Sequence, residues 1–230
     1  MYIVQTMKTE HVNPQEPKCT DKESLVVLQN SIPLALCMMP QWVCWRYEDE
    51  GGCSKPDKVP YHPVTGIRVD VTKDIGVKPF GAAYHEYTYS KGYDGIGYVL
   101  SSQDTVVGID LDDCLDERVQ LSPMAQAVIK LVDSYSEFSP SGNGIRIFST
   151  AALGDFAGAR RGSIELYNFN RYLTVTGHHI YGTPTTMKPR LEALRELFRR
   201  YLAPPEHSTT ATQYAMLPSA ADCDVISGQC

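Results

Sequence analysis

Two carboxylates one residue apart close an apolar run, Val106-Val107-Gly108-Ile109-Asp110-Leu111-Asp112. Strand side chains alternate between faces, so Val107, Ile109 and Leu111 point into a core. Gly108, Asp110 and Asp112 share the opposite face, with Gly108 leaving room above the backbone. Aspartates held this close repel unless something positive lies between them. A divalent cation is the usual answer, because Mg²⁺ prefers hard carboxylate oxygens together with water and substrate phosphates. Removing one of the pair would then relieve repulsion and raise stability in metal-free buffer. The competing reading is a strand that runs out into a solvated acidic turn, since Asp113, Asp116 and Glu117 follow at once.

The segment Ser139-Pro140-Ser141-Gly142-Asn143-Gly144-Ile145-Arg146-Ile147-Phe148 is a turn of small residues leading into a short alternating strand. Its glycines let backbone N–H groups approach an anion closely, and the hydroxyls of Ser139 and Ser141 add donors. Arg146 projects from the strand just beyond, and a guanidinium suits paired contacts with phosphate. The turn lacks the Gly-Lys-Ser/Thr ending of a Walker A loop, and an ordinary hairpin connection has the same composition. Farther on, Ile164 and Leu166 alternate with Ser163, Glu165 and Tyr167. Glu165 is thereby either a third carboxylate of the site or a surface side chain on a half-exposed strand. Asn170 to Gly177 is rich in β-branched and aromatic residues and carries Arg171, Thr174 and Thr176.

In this order, Gly108–Asp113, Ser139–Phe148, Ile164–Tyr167 and Arg171–Gly177 resemble the primase-polymerase domain of phage and plasmid replication proteins, within the archaeo-eukaryotic primase superfamily. Pro40–Arg46, Lys58–Tyr61 with Thr65–Gly66, and Gly95–Leu100 are similar to it as well. The resemblance runs from about residue 33 to about residue 182. It implies a DNA primase or polymerase that uses nucleoside triphosphates, a single-stranded DNA template and Mg²⁺ or Mn²⁺. Asp110 and Asp112 match the metal-binding pair, and Glu165 matches the third acidic ligand. Ser139, Ser141, Gly142, Asn143 and Gly144 match the turn that holds the triphosphate, and Arg171 and Thr174 match the nucleotide-binding strand. Many members carry a histidine where this chain has Arg146. Arginine still neutralises phosphate, but it cannot accept a proton at neutral pH.

The implied reaction is attack of a 3′-hydroxyl on an α-phosphorus with loss of pyrophosphate, clamped by two metals roughly 4 Å apart. Two further readings stay open. One is an inactive nucleotide-binding module that recruits a replicative helicase, and the other is a metal-dependent nuclease with water as nucleophile. Family members commonly carry a helicase downstream. This chain ends soon after the matched segment, so a helicase is expected as a separate protein or on a removed part of the chain.

The elements that must hold these residues are strands near 96–100, 106–112, 145–149, 163–167 and 171–176. A helix should start at Ser122-Pro123, with Met124, Ala127, Val128, Leu131 and Tyr135 on one stripe. Another should follow Pro189, with Leu191, Leu194, Phe198 and Tyr201 inward and Arg195, Arg199 and Arg200 outward. The expected class is α+β: an antiparallel catalytic sheet with helices, RRM-like by resemblance, plus a smaller N-terminal α/β unit. A length of 230 residues with 43% hydrophobic content suits one domain. The expected division is a disordered tail over 1–23, the catalytic domain over 24–203 and a flexible tail over 204–230.

No signal peptide or long apolar run is present, so a cytoplasmic protein away from the membrane is expected. The seven cysteines include no C-x-x-C pair, and free thiols explain them better than a zinc site built from Cys44, Cys53 and His62. His178 and His179 are adjacent and on a strand would face opposite sides. The net charge of −6 means that DNA must be met by local basic patches. The candidates are Arg46, Lys55 and Lys58, and the pair Arg160 and Arg161.

Overall fold

Alternating apolar residues build nine strands among the residues that the computed structural model describes, which are 25–49, 56–73, 76, 78–90, 92–116 and 118–204. The expected tails, apart from Pro204, lie outside these residues, as do Cys53 and Lys55. In chain order come α1 (Leu34–Cys37), β1 (Trp42–Glu48), β2 (Asp57–Tyr61), α2 (Phe80–Ser90), β3 (Gly95–Leu100) and β4 (Val106–Leu111). Then follow α3 (Pro123–Val132), β5 (Tyr135–Phe138), β6 (Ile145–Thr150), β7 (Gly158–Arg161), β8 (Ile164–Tyr167) and β9 (Arg171–Val175). The helix α4 (Leu191–Leu197) continues into one π-helical turn, Phe198–Leu202.

Two antiparallel sheets result, ordered β2-β1-β3-β9 and β5-β6-β4-β8-β7. The fold is therefore α+β. The second sheet carries Asp110 on β4 and Glu165 on β8, with Asp112 just past the end of β4. The first is not contiguous in sequence, because β9 leaves the acidic sheet after β8 and pairs with β3 (Gly97 opposite Thr174, Tyr98 opposite Leu173). Arg171 thus approaches Glu165 from the neighbouring sheet.

Strand β4 is buried along its whole length, and its two faces serve two cores. Val107, Ile109 and Leu111 pack with Val128, Ile129 and Val132 of α3 and with Leu194 and Leu197 of α4. Val106 and the neighbouring Phe148 pack on the other side with Leu100, Leu173 and Val175 of the first sheet. Gly108 makes that approach possible. A Cβ there would stand 2.3 Å from Leu173 Cδ1, so the room above the glycine is filled by a leucine from the opposing sheet.

Helix α3 begins as expected, with the Ser122 hydroxyl accepting from the Ala125 amide at 3.2 Å and Pro123 in the first turn. The buried stripe is Ala125, Val128, Ile129 and Val132, one residue out of phase with the expected one. The run Met124-Ala125-Gln126-Ala127-Val128-Ile129 is apolar nearly all round, so its periodicity left the facing side open. Tyr135 is not on this helix. Asp133 ends it in a left-handed conformation (φ 46°), and Tyr135 starts β5.

Candidate active site

Strand register assembles a charged row across the acidic sheet. Asp110 on β4 stands directly opposite Arg146 on β6 and Glu165 on β8. Arg146 in turn faces Glu137 on β5, and Glu165 faces Arg160 on β7. Directly paired residues share a face, so these five side chains lie on one surface of the sheet. Asp110 and Arg146 are 6% and 5% exposed, and the guanidinium Nη1 donates to Asp110 Oδ1. Glu165, 2% exposed, accepts from Arg160 Nε at 3.0 Å and from Arg171 Nη2 at 3.4 Å. The Arg171 guanidinium also lies 5.1 Å from the Tyr167 ring centre, within cation–π range.

The positive charge that Asp110 needs is therefore supplied by a guanidinium. This overturns the expectation that losing an aspartate would stabilise the metal-free protein. Removing the Asp110 carboxylate leaves a buried arginine unpaired, which costs about 3–5 kcal/mol. Burial pushes the Arg146 pKa down to about 10 against the raising influence of Glu165, and the side chain stays cationic at neutral pH. Its Nε has no hydrogen-bond partner among the described residues.

Asp112 lies just past the end of β4, half-buried, with its amide bonded to Ser163 O at 2.9 Å. The small-residue turn joins β5 to β6 beside this end of β4. Ser139 organises it: its carbonyl accepts from the Gly142 amide at 2.8 Å and its hydroxyl from the Gly144 amide at 3.0 Å. Ser139 Oγ also lies 3.2 Å from Ser141 Oγ. Asn143 Nδ2 donates to Asp113 Oδ1 at 2.8 Å, and the Asn143 carbonyl accepts from the Cys114 amide at 3.0 Å. Gly144 is tight against β4, where a Cβ would stand 2.8 Å from the Leu111 carbonyl oxygen. The turn is thus anchored next to Asp112, with Gly142 at φ 69°.

Thr174 is 4% exposed and its hydroxyl has no partner among the described residues. Tyr172, on the same face of β9, covers Gly97 and donates its hydroxyl to the Lys58 carbonyl, tying β9 to the β1–β2 hairpin. Burial raises the Tyr172 pKa, while the charges of Arg146 and Arg171 lower it. Of the proposed DNA contacts, Arg46 is bound to Glu48 at 2.9 Å and stacks over Tyr61, Lys58 is half-buried on β2, and Arg161 donates to the Ala203 carbonyl at 2.8 Å. Arg160 belongs to the charged row itself. Cys44 is buried with its thiol against the Ala83 carbonyl, and the His62 ring accepts from the Val64 and Thr65 amides. His178 and His179 bond separate backbone carbonyls, those of Val26 and Pro184.

Sequence reasoning missed Glu137. Fully buried, it accepts from the Tyr135 hydroxyl at 2.7 Å and from the Thr176 and Gly177 amides at 2.9 and 2.8 Å. It joins the edge of the acidic sheet to the end of β9, and burial raises its pKa to about 7. A glutamate between Ser136 and Phe138 in a short apolar strand was the available signal, since a charge at such a position demands partners.

The donor set suits Mg²⁺ or Mn²⁺ in type: two buried carboxylates in register on adjacent strands, with a third just beyond, all hard oxygen. As folded, Asp110 and Glu165 are engaged by arginines. Among the described residues, no group of three or more His, Cys, Asp or Glu stands together in a way that could hold a metal ion.

No family model matches the chain. Over 171 residues, covering 70% of the chain, it is 30% identical to a DNA primase-polymerase of Nitratiruptor phage NrS-1. The two sequences are related. The match spans 22% of the length of the phage primase-polymerase, so the relationship concerns this part of it alone. No helix among the described residues is long and apolar enough to cross a membrane.

Proposed function

We propose that the protein is a DNA primase-polymerase: a template-directed nucleotidyltransferase that makes or extends primers on single-stranded DNA from nucleoside triphosphates. The observation that carries this reading is the charged row. Two buried carboxylates from adjacent strands sit among three arginines, an arrangement costly to bury for stability alone and suited to a polyanionic substrate. Primase-polymerase kinship adds the reaction. A substrate 3′-hydroxyl attacks the α-phosphorus of a nucleotide, a P–O bond forms, and the bond to the leaving pyrophosphate breaks. Arg146 and Arg171 would neutralise charge on the triphosphate, and the Ser139–Gly144 turn would add hydroxyl and amide donors. Arg146 cannot serve as the base. Asp110, Asp112 and Glu165 would hold Mg²⁺ or Mn²⁺, which supplies activation of the attacking hydroxyl and charge neutralisation at the leaving oxygen.

The setting that fits is cytoplasmic replication of a phage, plasmid or other mobile element, alongside a replicative helicase. One observation favours the alternative of an inactive nucleotide-binding module, namely the direct pairing of Arg146 with Asp110. The test is incubation with single-stranded template, Mg²⁺ or Mn²⁺ and labelled ribo- or deoxyribonucleotides. Wild type should form template-dependent product, and Asp110→Asn, Asp112→Asn and Glu165→Gln should each form none while remaining folded. Triphosphate binding without synthesis by the wild type would favour the inactive module. Metal-dependent loss of the template would instead indicate a nuclease.

A further inference from the structure

Three guanidiniums, of Arg146, Arg160 and Arg171, converge on two buried carboxylates, Asp110 and Glu165. A dication added to this cluster alone would enter a site whose negative charge is already matched. Both partners of the Arg146–Asp110 pair are more than nine-tenths buried, so water screens that repulsion weakly. A triphosphate changes the balance by offering Arg146 a new anionic partner. The unpartnered Nε of Arg146 marks the side chain as having donor capacity left when it sits on Asp110.

We propose that Arg146 is a built-in counterion that occupies the Asp110 carboxylate in place of a divalent cation until a nucleotide's phosphates draw it away. The inference rests on the reading of Asp110 as a metal ligand. Its consequence is regulatory. The site admits metal together with nucleoside triphosphate and resists metal alone, which keeps it closed to hydrolytic chemistry when no nucleotide is bound. The coupling is reciprocal, because displacing Arg146 is a cost that each ligand lowers for the other.

Mn²⁺ binding to the full chain, followed by electron paramagnetic resonance of the free ion, reads this without turnover. Titrations are run with and without a triphosphate analogue in which a methylene replaces the oxygen that bridges the α- and β-phosphorus. Wild type should bind Mn²⁺ alone weakly, and Arg146→Met should bind it at least tenfold more tightly. The enhancement by the analogue should shrink by a similar factor in the variant. Equal affinity of wild type and Arg146→Met for Mn²⁺ alone overturns the counterion. Asp110→Asn, added to Arg146→Met, separates this failure from that of the underlying reading: if it leaves Mn²⁺ binding unchanged, Asp110 is not a ligand at all. Should Arg146→Met fail to fold, arginine side-chain NMR on the wild type decides. The Arg146 signals should move with the analogue plus Mg²⁺ and stay in place with Mg²⁺ alone; movement with Mg²⁺ alone overturns the proposal.

Discussion

Replacing Glu137 by glutamine should remove a specific slope from the pH dependence of stability. In the folded protein this carboxyl is fully buried, and its pKa is raised from 4.5 to about 7, chiefly by desolvation. Between those values the folded state keeps a proton that the unfolded chain has shed. Stability therefore falls as pH rises from about 4.5 to about 7 and levels off above. At 1.36 kcal/mol per pKa unit, the window is worth about 3 kcal/mol. Glu137→Gln has no such proton to lose. Its amide also opposes one of the two backbone N–H groups that the carboxylate accepts, a pH-independent loss of about 1–3 kcal/mol. Urea unfolding of both proteins at pH 4.5, 5.5, 6.5 and 7.5 isolates the effect. His179, whose ring stacks on Tyr135 beside Glu137, is present in both proteins and cancels in the difference. The stability difference should change by about 3 kcal/mol in favour of the variant as pH rises. Parallel curves would refute the argument.

Three further outcomes are expected. Gly108→Ala should destabilise by about 1–3 kcal/mol through overlap with Leu173, and in a Leu173→Ala background the same change should cost less in thermal unfolding. Thr174→Val removes a buried hydroxyl that has no partner among the described residues, so stability should hold or rise by up to about 1 kcal/mol while the KM for nucleotide increases. An unchanged KM would remove Thr174 from the nucleotide site. Arg146→Ala should weaken triphosphate and diphosphate binding by about 1.5–3 kcal/mol and monophosphate binding less; equal losses in calorimetry would make the arginine purely structural.

Alternation along the chain located the strands that carry the site, because period-2 patterning is a local property of residues such as Val107, Ile109 and Leu111. The same rule put Asp110 on the face away from α3 and α4. Pairing register is not local. That Arg146 would stand opposite Asp110, and Glu165 on its other side, depends on two strands 36 and 55 positions away by residue number, and no pattern within either strand encodes it. Read from its own strand alone, Glu165 is a surface glutamate for that reason, and the pairing puts it in the charged row. Glu137 escaped notice because its partners are backbone amides of Thr176 and Gly177, which any sequence would offer there. Membership of β9 in the first sheet was hidden in the same way. Arg171 to Val175 reads as a good strand, but nothing in it names β3 as its neighbour.

The exchange of β9 between sheets bears on the order in which the protein can be made. A chain leaving the ribosome exposes β1, β2 and β3 early, yet the free edge of β3 gains its partner only after residues 171–175 have emerged. Until then Ile96, Tyr98 and Leu100 lack the cover of Leu173 and Val175, and an apolar strand presents open hydrogen-bonding groups to other nascent chains. The N-terminal half would thus be a poor candidate for early, independent folding, and both sheets should become stable together late in synthesis.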